Sequence, residues 1–420
     1  MPRPNSNSAV HPDTESKVVN GRFPTYLVVT LLVVLVLSTG CGGSGVEQGS
    51  SGESPEPEGE GGQTELTEGG TPPAEDTGNP DPESTTANAG PVEVETSVVA
   101  TGLEAPWDLV FTPGGEALVT ERDSGRLLSV GASGNVEELQ TLPAGGVGEG
   151  GLLGLALSPD YERDGLIYAY YSTDTDNRVV RFREGEEPEP ILTGIPVNSY
   201  HNGGRIAFGP DGNLYVGTGD AGDRPSSQDT NSLAGKILRL TPEGDVTGDN
   251  PFPGNPLYSY GHRNVQGLAW DANGQLYASE FGQDTYDEVN RIVPGGNYGW
   301  PEVEGEGGEG NGYVDPVATF FPTSEASPSG VEILKRGAIP QWEGDFFMAA
   351  LRGQRLYRLD LDESGSVVGQ EELLQDEAGR LRHVVQAPDG SLWVLTSNRD
   401  GRGNPVPDDD RIIRLGPVGG

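Results

Sequence analysis

Three histidines and a small set of arginines sit where strand-like segments of this sequence begin. In SYHNGGRIAF, His201 and Asn202 precede Gly203-Gly204 and an apolar run; in YGHRNVQGLAW, His262, Arg263, Asn264 and Gln266 hold the equivalent place. In GRLRHVVQAPDG the place is taken by Arg380, Arg382 and His383. Residues recurring at one phase of successive units face one side of a repetitive fold, so these groups are expected to converge. Arginine presents a planar fork suited to carboxylates, and several of them around one cavity make an anion site. A neutral histidine beside such a site is a general base, because its pKa lies near neutrality and neighbouring cations lower it further. Asp220 closes the run GTGD (217–220) and can return to His201 to select its tautomer. His262 reads as structural. From the residues alone, the chemistry is a polyanionic ligand, a histidine base and an electrophilic arginine.

The elements that must position these residues are legible as a repeat. A turn rich in Pro, Asp, Asn and Gly is followed by an apolar strand six times, anchored on Gly115, Gly165, Gly212, Gly274, Gly344 and Gly390. Propeller blades of four strands run to about 40–50 residues, and longer spacings imply inserted loops. Six units therefore predict an all-β, six-bladed β-propeller over residues 92–417. In each unit the glycine is expected to supply a positive φ, and the strand after it to bury alternate side chains.

Ahead of the repeats lie two segments of other character. Residues 1–41 read as an export signal: Arg3, Lys17 and Arg22 precede the apolar run Tyr26 to Leu37, which ends in LSTGC. Cys41, the single cysteine, falls where a lipoprotein signal peptidase would leave a lipidated N-terminus; an uncleaved anchor helix is the alternative. Residues 42–91 hold eleven acids, no Lys or Arg and no aromatic residue, the composition of a disordered tether. Both readings of the N-terminus place the remainder outside the cytoplasm, membrane-bound only through that anchor. Of the formal net charge of -39, residues 1–41 carry +1 and 42–91 carry -11, which leaves -29 on the repeats. So acidic a domain is a poor partner for nucleic acid. Four scattered histidines and one cysteine offer no zinc spacing.

Four blocks, GEGGLLGLALSPDY (148–161), HNGGRIAFGPDGNLYVGTGD (201–220), YGHRNVQGLA (260–269) and SEFGQDTYDEVNRIVPGGNYGWPEVEG (279–305), extend the pattern. With the residues above, they resemble the soluble pyrroloquinoline quinone (PQQ)-dependent aldose dehydrogenases, or glucose/sorbosone dehydrogenases, over about 92–415. The resemblance implies a six-bladed propeller with the quinone, a tricarboxylate, on its axis. It implies oxidation of an aldose at C1 to the lactone, with electrons passing to an external quinone or cytochrome. His201 would take the C1 hydroxyl proton as hydride passes to the quinone, Asp220 would support His201, and Arg263 would stabilise charge on the reduced quinone oxygen. Asn264 and Gln266 would line the cofactor, and Arg352, Arg380 and Arg382 would hold its carboxylates. A calcium ion would bridge the cofactor and the backbone carbonyls of Gly282 and Gln283, and a second, structural one would use the region of Asp287, Glu288 and Tyr298.

The sequence also departs from that pattern. Glu149 is expected at the cofactor too, but it stands where the glucose dehydrogenase branch has a cofactor-contacting glutamine, and a carboxylate beside a trianion needs a compensating arginine or calcium. Tyr200 replaces an acidic residue before His201, and Ser397 replaces a late aspartate. The short segment in the 320s lacks that branch's large insertions, which points to a broad-specificity aldose dehydrogenase. A non-catalytic cell-surface propeller that binds sugar or protein is the alternative; it has no need of His201, Asp220, Arg263, Arg380 and Arg382 together.

Overall fold

At each of the six repeat glycines the chain reverses with φ between 63° and 86°, a region that side chains with a Cβ avoid. These reversals join the first and second strands of six four-stranded antiparallel sheets. The computed structural model describes residues 92–419. Blades 1 to 5 run over 106–141, 152–195, 206–260, 265–320 and 328–373. Blade 6 takes three strands from the C-terminal end, Leu381–Gln386, Leu392–Thr396 and Ile412–Pro417, and its outer strand from the N-terminal end, Val94–Ala100. The first strands of neighbouring blades pack side by side around the axis at five of the six junctions, and between blades 3 and 4 the first strand of blade 4 packs on the second strand of blade 3. The protein is a six-bladed β-propeller. Its two widest glycine spacings have a local cause: blade 3 carries loops at 218–235 and 241–256, and blade 4 one at 293–317.

The strands after the turns do not bury alternate side chains. Ala117–Glu121, Ile167–Ser172, Leu276–Glu280 and Phe346–Ala350 are buried at every position. Each such strand has another blade on both faces, so neither face meets water. Six apolar clusters fill the six clefts between neighbouring blades; one joins Leu118 and Leu127 of blade 1 to Leu155 and Ile167 of blade 2. Alternation appears instead in an outermost strand, Val367–Leu373, which has one wet face.

The expected export signal 1–41 with Cys41 and the expected tether 42–91 lie outside the described residues. No helix among the described residues is long and apolar enough to cross a membrane.

Candidate active site

In an antiparallel blade, the segment entering the first strand and the loop joining strands two and three lie at the same end. The glycine turns occupy the other end. The entering segments bring Glu149, His201, Arg263 and Arg380 to the axis; the loops bring Arg122, Gly282, Gln283, Arg352 and Arg402. Together they line one axial cavity of about 450 Å³, a size suited to a small molecule.

His201 is fixed at three points. Its Nδ1 lies 2.7 Å from Asp220 Oδ1, its N–H donates to Glu149 Oε2 at 2.9 Å, and its carbonyl accepts from Ala221 N at 3.1 Å. Its φ of 57° is left-handed, rare for a residue with a side chain. Two glycines permit this path: a Cβ on Gly219 would stand 1.9 Å from the His201 carbonyl oxygen, and one on Gly203 2.5 Å from the Thr218 backbone. Asp220 is fully buried and also accepts from Gly222 N at 2.8 Å and Trp300 Nε1 at 2.9 Å. Burial pushes its carboxyl up, but the hydrogen bonds from His201, Gly222 and Trp300 outweigh that and hold it below the ordinary carboxylate range. An ionised Asp220 makes Nδ1 the protonated nitrogen, which leaves the Nε2 lone pair free. Among the described residues Nε2 has no hydrogen-bond partner.

The cavity wall is rich in cations. Six arginines line it (Arg122, Arg263, Arg352, Arg380, Arg382 and Arg402) against the three carboxylates of Glu149, Asp287 and Asp400. Asp400 accepts from Arg380 Nε and Nη2 at 3.0 and 2.9 Å and lies 3.7 Å from Arg382. Burial pushes the Arg382 guanidinium down to about 9; Asp400 opposes this, and Arg122, Arg380 and Arg205 add to it. Arg263 stands over the Trp300 ring at 5.2 Å and donates to the Phe281 carbonyl at 3.2 Å. The Nε atoms of Arg263 and Arg382 are buried without a partner, and Arg352 has no acidic partner among the described residues. Buried cationic donors left unsatisfied are costly, and an anionic ligand would satisfy them. The tricarboxylate of PQQ fits that demand.

The compensation that Glu149 needs is present: Oε1 pairs with Arg402 Nη1 at 2.7 Å. Burial raises the Glu149 carboxyl, and the His201 N–H and Arg402 more than reverse this. Gln266 lines the cavity and accepts from Arg382 Nη1 at 3.4 Å. Asn264 is buried beside it: Oδ1 accepts from Gly203 N at 2.9 Å, and Nδ2 has no hydrogen-bond partner among the described residues. His262 is fully buried between Ser259 Oγ and Glu280 Oε1, stacked on Tyr298, in keeping with a structural role. His383 faces the other end of the axis, 3.2 Å from Asp108.

Gly282 and Gln283 reach the cavity with their N–H groups turned to Asp287 Oδ1 and Glu304 Oε1. Neither carbonyl oxygen accepts a hydrogen bond among the described residues, and Gln283 Oε1 is buried without a donor. Unsatisfied oxygens of this kind suit a hard cation such as calcium. Asp287, Glu288 and Tyr298 are not gathered into one side-chain cage. Asp287 lines the axial cavity, whereas Glu288 and Tyr298 border a small neighbouring cleft. The Tyr298 hydroxyl is already engaged by Arg291 O and Val293 N. Among the described residues no group of three or more His, Cys, Asp or Glu side chains is arranged to hold a metal.

Arg122, Arg402, Asp400 and Trp300 were not legible as site residues. The available signal was position: Arg122, Asp400 and Arg402 follow the second strand of a blade, as Asp220 does.

The profile of the family described as Glucose / Sorbosone dehydrogenase matches residues 103–413. Quinoprotein glucose dehydrogenase B of Acinetobacter calcoaceticus is 28% identical over 78% of this chain and 89% of its own. Aldose sugar dehydrogenase YliI of Escherichia coli is 29% identical over 74% of this chain and 92% of its own. The solved PQQ-bound form of the aldose sugar dehydrogenase of Streptomyces coelicolor is 51% identical, with a TM-score of 0.72 over 78% of this chain and 99% of that one. The chain therefore belongs to the glucose/sorbosone dehydrogenase family.

Proposed function

We propose that the protein is a PQQ- and calcium-dependent aldose dehydrogenase that oxidises the sugar at C1 to the lactone. The observation that carries this reading is the His201–Asp220 pair at the edge of an arginine-lined axial cavity. Nε2 of His201 takes the proton of the C1 hydroxyl, and buried Asp220 stabilises the imidazolium that forms. Arg263 supplies positive charge where negative charge builds during the reaction. Arg352, Arg380 and Arg382 would hold the carboxylates of the cofactor, with Gln266 lining the same cavity; the carbonyls of Gly282 and Gln283 would take the calcium. When bound, PQQ would supply the two-electron acceptor for the C1 hydride, and calcium would supply a Lewis acid beside it. His201 yields its proton to solvent afterwards, and an external quinone or cytochrome takes the electrons.

Asn264 holds Gly203, and Asp287 fixes the Gly282 turn. The export-signal character of residues 1–41 supports an extracytoplasmic site of action, with Cys41 as the lipid anchor. The test is dye reduction by residues 91–420 loaded with PQQ and calcium, across a series of aldoses. Turnover with one or more aldoses that depends on PQQ is the expected result; no PQQ binding and no turnover with any of them would end the reading.

A further inference from the structure

We propose that Glu149, clamped by Arg402, is a positioning residue for His201 and does not contact the cofactor. The proposal rests on the reading of His201 as the base. Glu149 divides its two oxygens: Oε2 accepts from the His201 backbone N–H at 2.9 Å, and Oε1 takes Arg402 Nη1 at 2.7 Å. With both oxygens engaged, the carboxylate is neutralised by an arginine of the cavity wall itself. The N–H it holds belongs to a residue at φ 57°, so the hydrogen bond secures a backbone conformation that the chain resists. Releasing it would let the segment 199–202 relax and swing the imidazole away from its substrate-facing pose, while Asp220 still held Nδ1.

Arg402 is brought to Glu149 by the loop 397–411 of blade 6, and that loop is itself pinned. Arg402 N donates to Asp400 Oδ1 at 2.9 Å, Asp400 Oδ2 takes Arg380, and the Asp400 carbonyl takes Arg122 Nη2 at 3.1 Å. One strap thus joins the arginines of the cavity wall to the backbone of the histidine, across the junction of blades 6, 1 and 2. Glu149 and Arg402 form a matched pair: either alone would leave a charge facing the site uncompensated.

The test compares Glu149→Gln, Arg402→Gln and the double variant with the unaltered protein, each loaded with PQQ and calcium. Each single variant is expected to lower kcat roughly 5–20-fold with KM for aldose and PQQ affinity within about twofold, since small misplacements of a catalytic group act on kcat. The double variant should fall no further than the worse single one, as coupled residues are non-additive. Arg402→Lys should recover part of the loss. A second readout needs no activity: hydrogen exchange at the His201 amide of the cofactor-free protein, followed by mass spectrometry, should speed up in both single variants. Lost PQQ affinity with unchanged kcat, additive effects, or an unchanged His201 amide would overturn the proposal. Should the unaltered protein oxidise no aldose, the proposed function fails, and amide exchange alone decides whether Glu149 and Arg402 hold His201.

Discussion

A base must present one nitrogen to its substrate in one protonation state, and the surroundings of His201 meet the demand that its proposed role makes. Its backbone N–H, carbonyl and Nδ1 are each tied to a different partner, so only Nε2 is left to act. In the proposed reaction Asp220 would perform two tasks at once, selecting the tautomer and stabilising the charged ring, and the Trp300 and Gly222 hydrogen bonds favour its ionised form. Asp220→Asn should keep the geometry and disturb the tautomer, lowering kcat by about 10²–10⁴-fold with little change in PQQ affinity. Steady-state kinetics beside a PQQ titration will check this; a loss below threefold would remove Asp220 from the mechanism. At this scale the sequence was informative where chemistry coincided with the repeat. His201, Arg263 and Arg380 stand just before a first strand, and that phase marked them. Arg122 in TERDSG and Arg402 in SNRDGRG stand after a second strand and carry no such mark. Only closure of the ring, which brings loops of blades 6, 1 and 2 together, makes them part of the wall.

Among the elements, blade 6 has the most exacting assembly, because its outer strand comes from the other end of the domain. Val94–Ala100 pairs with Ile412–Pro417 from Val94 opposite Pro417 to Ala100 opposite Ile412. Without it, the backbone edge of the last strand and the side chains of Ile413 and Leu415 lose cover. A chain starting at residue 102, compared with one starting at 92, should lose a few kcal/mol, a melting temperature lower by on the order of 10 °C. Calorimetry of the two chains will decide; equal melting temperatures would mean that the strand does not close the ring. The repeat glycines predicted the turns, and all six have positive φ. The expected alternation failed for a physical reason: a strand between two blades has no wet face, whereas periodicity arguments assume one.

Taken whole, the molecule places a cationic cavity in a domain whose formal charge is -29, and does so by pairing. Glu149 takes Arg402 and Asp400 takes Arg380, while Arg352 and the Nε atoms of Arg263 and Arg382 remain available to an anion. Burial raises the Asp400 carboxyl, but Arg382 and Arg380 draw it below its ordinary value. A carboxyl depressed in the folded state stabilises above its unfolded pKa of about 4, and that stability is lost as pH falls through the folded value. Asp400→Asn should therefore destabilise the cofactor-free protein by roughly 3–5 kcal/mol at pH 7, the cost of leaving buried charge unpaired. Its deficit relative to the unaltered protein should shrink as the pH drops below about 4. Melting curves from pH 3 to 7 will show it; a deficit independent of pH would separate Asp400 from the arginines.

In the proposed reaction the arginine wall holds PQQ while His201 removes the substrate proton. The most direct test is anaerobic absorbance of the PQQ- and calcium-loaded protein on adding an excess of aldose. The unaltered protein should bleach its oxidised cofactor within one turnover, and His201→Ala should retain the cofactor with its spectrum unchanged over the same time. Equal bleaching by His201→Ala, or no retained PQQ in the unaltered protein, would contradict the account.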